Sequence, residues 1–194
     1  MKKYYLLFLV ILIISIVIPT ISYSQTDQNN EQMQAWMSYM TPGPEHKMLA
    51  KMTGDWNFDM KMWMDPNSSP TISSGTSTFE MILGGRYQMS HHKGMVMNMP
   101  FEGENLIGYD NGKKIYTNYW IDNMGTGVMY CEGTYDDATK TINFKGKTYI
   151  PETGKDEDFR ETIKVIDDNN FKLEMFMWKD GKEYKVMEGN YMKK

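Results

Sequence analysis

The residues with the clearest chemical potential in this chain are its methionines. There are 20 among 194 residues, and they recur at alternate positions in Met60-x-Met62-x-Met64, Met95-x-Met97-x-Met99 and Met175-x-Met177. On an extended strand alternate side chains project from one face, so each group would present a row of thioethers. Soft sulfur donors select Cu(I) or Ag(I) over hard cations, and His91 precedes the second group. One reading is therefore a soft-metal site built from His91, Met95, Met97 and Met99, with Trp63 lying inside the first group. The other treats the thioethers as flexible fillers of an apolar interior, and it is the better supported, because Met60 and Met62 share their face with Trp56 and Phe58. His91 and His92 occupy adjacent strand positions, so they point to opposite faces and cannot jointly hold one ion. Haem held through His46, His91 or His92 ranks below copper, since no attachment motif accompanies any of the three.

Catalytic patterns are missing. The chain has no serine elbow, no His-Glu-x-x-His helix, no phosphate-cradling loop and no EF-hand. Glu102 and Glu104 sit two apart on one strand face, as glycosidase carboxylates sometimes do, yet beside Gly103 and Asn105 they read as a solvated edge. Cys131 is the sole cysteine, which excludes an intramolecular disulfide and reads as a small buried hydrophobe rather than a nucleophile. We expect a protein that is not an enzyme and carries no cofactor.

The elements that must position these residues change character at Asp55. Before it, Gln25 to Glu31 is a polar leader read as disordered, and Met33, Ala35, Trp36, Met37 and Met40 recur at helical spacing. Thr41-Pro42-Gly43-Pro44 interrupts that helix. Pro44 and Glu45 suit the first turn of a second helix, which buries Leu49 and Met52 and stops at Gly54. These two helices are placed to close one end of a barrel. From Asp55 the period becomes two: Trp56, Phe58, Met60, Met62 and Met64 alternate with Asn57, Asp59, Lys61 and Asp65. Nine similar segments follow, near 74–82, 85–93, 101–109, 114–121, 127–135, 141–150, 157–166, 170–178 and 183–192. Turns such as Asp110-Asn111-Gly112 and Lys179-Asp180-Gly181 separate them. About ten consecutive strands without intervening helices predict a mainly β fold, a single antiparallel up-and-down barrel, since closure removes exposed edges.

Lys2 and Lys3, an apolar run from Leu6 to Ile18 and the small residues Ser22 and Ser24 make a secretory signal peptide, with cleavage expected between Ser24 and Gln25. The apolar run falls short of the ~20 residues of a spanning helix, so an uncleaved signal is the one membrane attachment considered. An exported protein, periplasmic or secreted, is the expectation. Beyond residue 24 there remain 19 Lys+Arg against 25 Asp+Glu, a net charge of −6 without a basic stripe. That balance argues against nucleic acid and anionic membrane surfaces as partners.

Gly43-Pro44-Glu45-His46-Lys47, Leu49 and Gly54-Asp55-Trp56 resemble the opening of the domain of unknown function 1579 family. Leu83-Gly84-Gly85-Arg86-Tyr87, Pro100-Phe101-Glu102-Gly103, Gly108-Tyr109-Asp110-Asn111 and Tyr116 with Trp120-Ile121-Asp122 match its middle. Gly133-Thr134-Tyr135-Asp136, Thr153-Gly154-Lys155 and Phe159-Arg160 follow it more loosely. The resemblance covers residues 41 to 194. It implies a barrel of the lipocalin and calycin kind able to hold a small apolar molecule, and it transfers no binding or catalytic residue. The methionine density departs from the family pattern.

From the residues, the expected partner is a small apolar or amphipathic molecule bound in a Met- and aromatic-lined interior. The inward candidates are Trp56, Phe58, Met60, Met62, Tyr87, Met89 and Trp120, the last preferred over its neighbour Tyr119. Arg86 would be the polar handle for a ligand carboxylate, or else would pair with Glu80 or Asp122 or cover a barrel end. Trp56 would equally serve as a plug under the preceding helix. A barrel filled by its own side chains, scaffolding a protein contact, is the remaining alternative.

Overall fold

Alternation from Gly54 onward builds one closed antiparallel barrel of ten strands, in the computed structural model that describes residues 25–194. The strands are β1 (Gly54–Met62), β2 (Thr71–Ile82), β3 (Tyr87–Val96), β4 (Met99–Asp110), β5 (Ile115–Asp122), β6 (Met129–Asp136), β7 (Thr141–Ile150), β8 (Lys155–Asp167), β9 (Asn170–Lys179) and β10 (Lys182–Lys193). Each pairs with its sequence neighbours, and β1 pairs with β10 from Trp56↔Lys193 to Met62↔Met187, which closes the ring. The expected up-and-down barrel is thus the observed one. The expected signal peptide and cleavage point fall outside the described residues.

Two helices precede the strands, α1 (Gln25–Met40) and α2 (Pro44–Lys51). The chain separates into a unit ending at Met37 and a unit running from Ser38 to Lys194. Helix α1 takes in the glutamine- and asparagine-rich tract read as a disordered leader. That tract contains neither Pro nor Gly, and its glutamine and glutamate residues are good helix formers. Met33, Trp36 and Met37 on it are exposed.

Helix α2 explains the Gly43-Pro44-Glu45-His46 motif. Pro44 occupies its first turn with no donor to waste, and the Gly43 N–H donates to His46 Nδ1 at 3.0 Å. His46 is buried edge-on against Tyr109, with ring centroids 5.9 Å apart. Asn111, in the β4–β5 turn, donates from Nδ2 to the carbonyls of Tyr39 and Thr41 at 3.0 and 2.8 Å, tying down the chain before α2. Helix α2 packs against β2, β3 and β4 and closes one end of the barrel. Under it Trp56 is fully buried, donating from Nε1 to the Met52 carbonyl at 2.9 Å and meeting Phe79 and Phe171 edge-on at 6.2 and 4.9 Å.

The opposite end is framed by the β1–β2, β3–β4, β5–β6, β7–β8 and β9–β10 connections. The β3–β4 link is a tight hairpin in which Met97 and Asn98 both take positive φ, 50° and 63°, as a two-residue primed turn requires. Strand β1 ends at Met62, so Met64 leaves the row it was expected to share and is exposed in the following loop. Outside the barrel, Lys172 and Lys185 bridge Glu174 and Glu188 across β9 and β10, and Arg160 grips Glu183 through two nitrogens at 2.9 and 3.0 Å while covering Phe176.

Candidate ligand cavity

Alternation places one face of every strand inside the ring, and those faces do not fill it. Between the α2 end and the opposite rim lies a cavity of about 360 Å³. Its walls are mainly apolar. Phe58, Met60 and Met62 from β1, Ile107 from β4, Leu173 and Met175 from β9 and Met187 and Tyr191 from β10 all line it. Met95, Met97 and Met99 of the hairpin line it as well, together with Met124.

Two glycines make room for the aromatic lining. Gly75 on β2 sits opposite Phe58 in register, and a Cβ there would lie 2.4 Å from the Phe58 ring and 2.2 Å from the Lys93 carbonyl. Gly103 on β4 plays the same part for Trp120, whose ring would be 2.6 Å from an added Cβ. Each ring covers the backbone that its glycine leaves bare, a pairing that restores packing lost to the missing side chain.

Two polar sets interrupt the apolar wall. The first joins β2 and β3: His92 is 5% exposed, with Ser77 Oγ 2.7 Å from its Nδ1 and Ser90 Oγ 2.9 Å from its Nε2. Phe58, Phe79, Trp120 and Tyr191 surround the ring. Burial, with His91 adding a smaller repulsion, pulls the His92 pKa down to about 4, so the imidazole is neutral at physiological pH. Each serine hydroxyl can donate or accept, so either tautomer is satisfied.

The second set crosses the barrel. Asn105 on β4 donates from Nδ2 to Asn118 Oδ1 on β5, and Asn118 Nδ2 donates to Glu161 Oε1 on β8 at 2.9 Å. Glu161 is 5% exposed, and its burial, only partly offset by the Asn118 bond, raises its pKa to about 7. Cys131 on β6 and Tyr191 on β10 face the same carboxyl, and burial pushes both upward, so they stay neutral. Gln88 completes the inventory. Its Nε2 donates to the Leu49 carbonyl at 2.6 Å, which fixes the amide orientation, while its buried Oε1 has no partner among the described residues.

The sequence-predicted residues divide as follows. Phe58, Met60, Met62 and Trp120 line the cavity, and Tyr119 turns outward onto Tyr130. Trp56 does not line it and is the plug beneath α2. Arg86 is at the closed end, donating from Nη1 to the Leu83 carbonyl at 3.1 Å, so it is no handle within the cavity and pairs with neither Glu80 nor Asp122. Tyr87 and Met89 are corrected outright, because β3 presents Gln88, Ser90 and His92 inward. In the first half of this strand Tyr87 and Met89 lie outside, where Tyr87 covers Gly108, and Gln88, Ser90 and His92 lie inside, where they bond to polar neighbours and to α2. A hydrophobic-in rule inverts such a strand.

The soft-metal set is also broken up. Met95, Met97 and Met99 border the rim together, but His91 is on the outer face, 3.3 Å from Glu104. Both ring nitrogens of His92 are engaged by serines, and His46 is held in the helix cap. Among the described residues no three of His, Cys, Asp or Glu gather as a metal site. Glu102 and Glu104 are exposed partners of Lys93 and His91.

Sequence reasoning missed Asn105, Asn118, Glu161 and Gln88. One signal was present: Phe159-x-Glu161-x-Ile163 and Tyr116-x-Asn118-x-Trp120 each put a polar residue in an apolar row.

In overall shape the chain is similar to the crystal structure of Rv2717c from M. tuberculosis, at 13% identity and a TM-score of 0.58, covering 79% of this chain and 99% of that one. A looser likeness joins it to a de novo designed fluorescence-activating β-barrel, at 12% identity and a TM-score of 0.43, over 74% of this chain and 94% of the design. No curated protein matches it in sequence. The family described as "Protein of unknown function (DUF1579)" matches residues 41–193, the α2 helix and the entire barrel, and the chain belongs to that family.

Proposed function

We propose that this protein is an exported barrel that holds a small apolar or amphipathic molecule in its interior. The observation that carries the reading is the cavity of about 360 Å³, walled by methionine and aromatic side chains with a few polar groups among them. Pockets for small molecules run to roughly 300–1,000 Å³ and combine an apolar wall with few orienting polar groups. A barrel packed solid by its own side chains would leave no such space. Thioethers suit a ligand of irregular shape, because methionine has three rotatable bonds and a polarizable sulfur. Export rests on the signal-peptide pattern of residues 1–24.

Native mass spectrometry of the gently purified protein tests this directly. A co-purified molecule of a few hundred daltons, lost in a Met60→Glu variant that keeps its fold, supports the pocket. A protein that neither retains a molecule nor takes up an uncharged apolar dye would refute it.

A further inference from the structure

Two acceptors on the cavity wall receive no donor from the described residues, and none of the described side chains there carries a positive charge. Glu161 gives Oε1 to Asn118, and its Oε2 accepts no hydrogen bond from the described residues. Gln88, 1% exposed, lines the same cavity with Oε1 unpartnered. Asp122, at the rim, accepts from Trp120 Nε1 at 2.6 Å and from the Met124 N–H at 2.9 Å. Among the described residues no lysine or arginine lines the cavity, and Arg86 is committed to the turn at the closed end. A buried acceptor without a donor costs about 1–3 kcal/mol, and a ligand that brings the donor recovers it. At pH 8, where Glu161 is ionised, a carboxylate-headed ligand would instead add a further acceptor and a like charge.

We infer that the molecule held in this barrel is an amphiphile with a protonated amine head, its ammonium hydrogen-bonded to Glu161 and its apolar body lying against the methionine and aromatic wall. This rests on the pocket reading above and narrows it to a ligand class. The rings of Phe58, Trp120 and Tyr191 border the same space, and aromatic faces attract a cation that has left water. An ammonium beside Glu161 favours the carboxylate form, so binding strengthens as pH rises from 6 towards 8 while the amine keeps its proton. The other titratable groups there bring no positive charge. Cys131 and Tyr191 are held neutral by burial, His92 is neutral above about 4, and Asp122 at the rim adds attraction of the same sign.

The test is displacement of prodan, an uncharged dye without hydrogen-bond donors, by three ligands of equal chain length: dodecylamine, dodecanol and dodecanoate. Failure of prodan and of all three to bind would overturn the pocket itself. If they bind, dodecylamine is expected to be roughly ten- to a hundredfold tighter than dodecanoate, the scale of one charge-assisted hydrogen bond, with dodecanol between them. Equal affinities, or dodecanoate the tightest, would overturn the amine assignment and leave the pocket standing. Glu161→Gln keeps the volume and the Asn118 bond, and should bring dodecylamine down to the dodecanol value with the β-sheet circular dichroism spectrum retained. An undiminished amine preference in that variant would also overturn it.

Discussion

His92 and Glu161 are equally buried in the barrel wall, and the polar sets around them are differently finished. Around His92 every ring nitrogen has a serine, and the neutral imidazole is wrapped by four aromatic rings. Around Glu161 the chain of amides ends on one carboxylate oxygen and leaves the other unclaimed. A closed network stiffens the wall and asks nothing of a ligand. An open one leaves a strong acceptor facing the cavity in a low dielectric, where an incoming donor gains most. Burial acts on both but in opposite senses, since it disfavours the charged form of each: the base titrates low, at about 4, and the acid high, at about 7.

Breaking the closed network should have the largest effect. His92→Ala strands two buried hydroxyls and empties a ring-sized space, and urea unfolding should show a loss of about 4 kcal/mol. Neutralising the open network should do the reverse. At pH 8 Glu161→Gln is expected to stabilise the barrel by about 3 kcal/mol, because the wild-type carboxyl, lifted from 4.5 to about 7, must ionise while buried. A destabilised Glu161→Gln protein at that pH would show that the carboxylate has a partner that outweighs its burial.

The pH profile sharpens the contrast further. Glu161, with a raised folded pKa, contributes stability that is complete below about 4.5 and is lost as pH rises through about 7. His92, with a depressed one, contributes stability that is complete above about 6.5 and is lost as pH falls through about 4. Between about 4.5 and 6.5 the two slopes oppose, and the wild-type unfolding free energy should be nearly level there. In Glu161→Gln the level stretch should become a rise of about 2–3 kcal/mol over the same window, measured by denaturant titration at each pH. The smallest effect is expected from Ser77→Ala, about 1 kcal/mol, since one imidazole nitrogen keeps Ser90.

Much of the architecture was legible before any coordinates. The period change at Asp55, the turn chemistry and the strand count predict the barrel, and Gly43-Pro44-Glu45 predicts where α2 begins. The candidate site was legible on β1, where Phe58, Met60 and Met62 follow plain alternation and line the cavity, and at Trp120 on β5. On β3 the same rule chose Tyr87 and Met89, the wrong face, because Gln88, Ser90 and His92 find their partners inside the barrel. Strand pattern records the polarity of a side chain and is blind to the bond that compensates it.

What the sequence by itself determined is the set of local choices: which residues extend, where the chain turns, where α2 starts, and that apolar rows on most strands must be buried together. These depend on neighbours a few residues away. Only the tertiary structure decided that Asn118 and Glu161, 43 residues apart, would meet across the ring, and that Arg86 and Trp56 would belong to the closed end. Only closure decided that the inward faces would leave a cavity unfilled. Closing ten strands sets a ring diameter, and whether side chains span it depends on their summed volume against that diameter, a quantity no single strand contains.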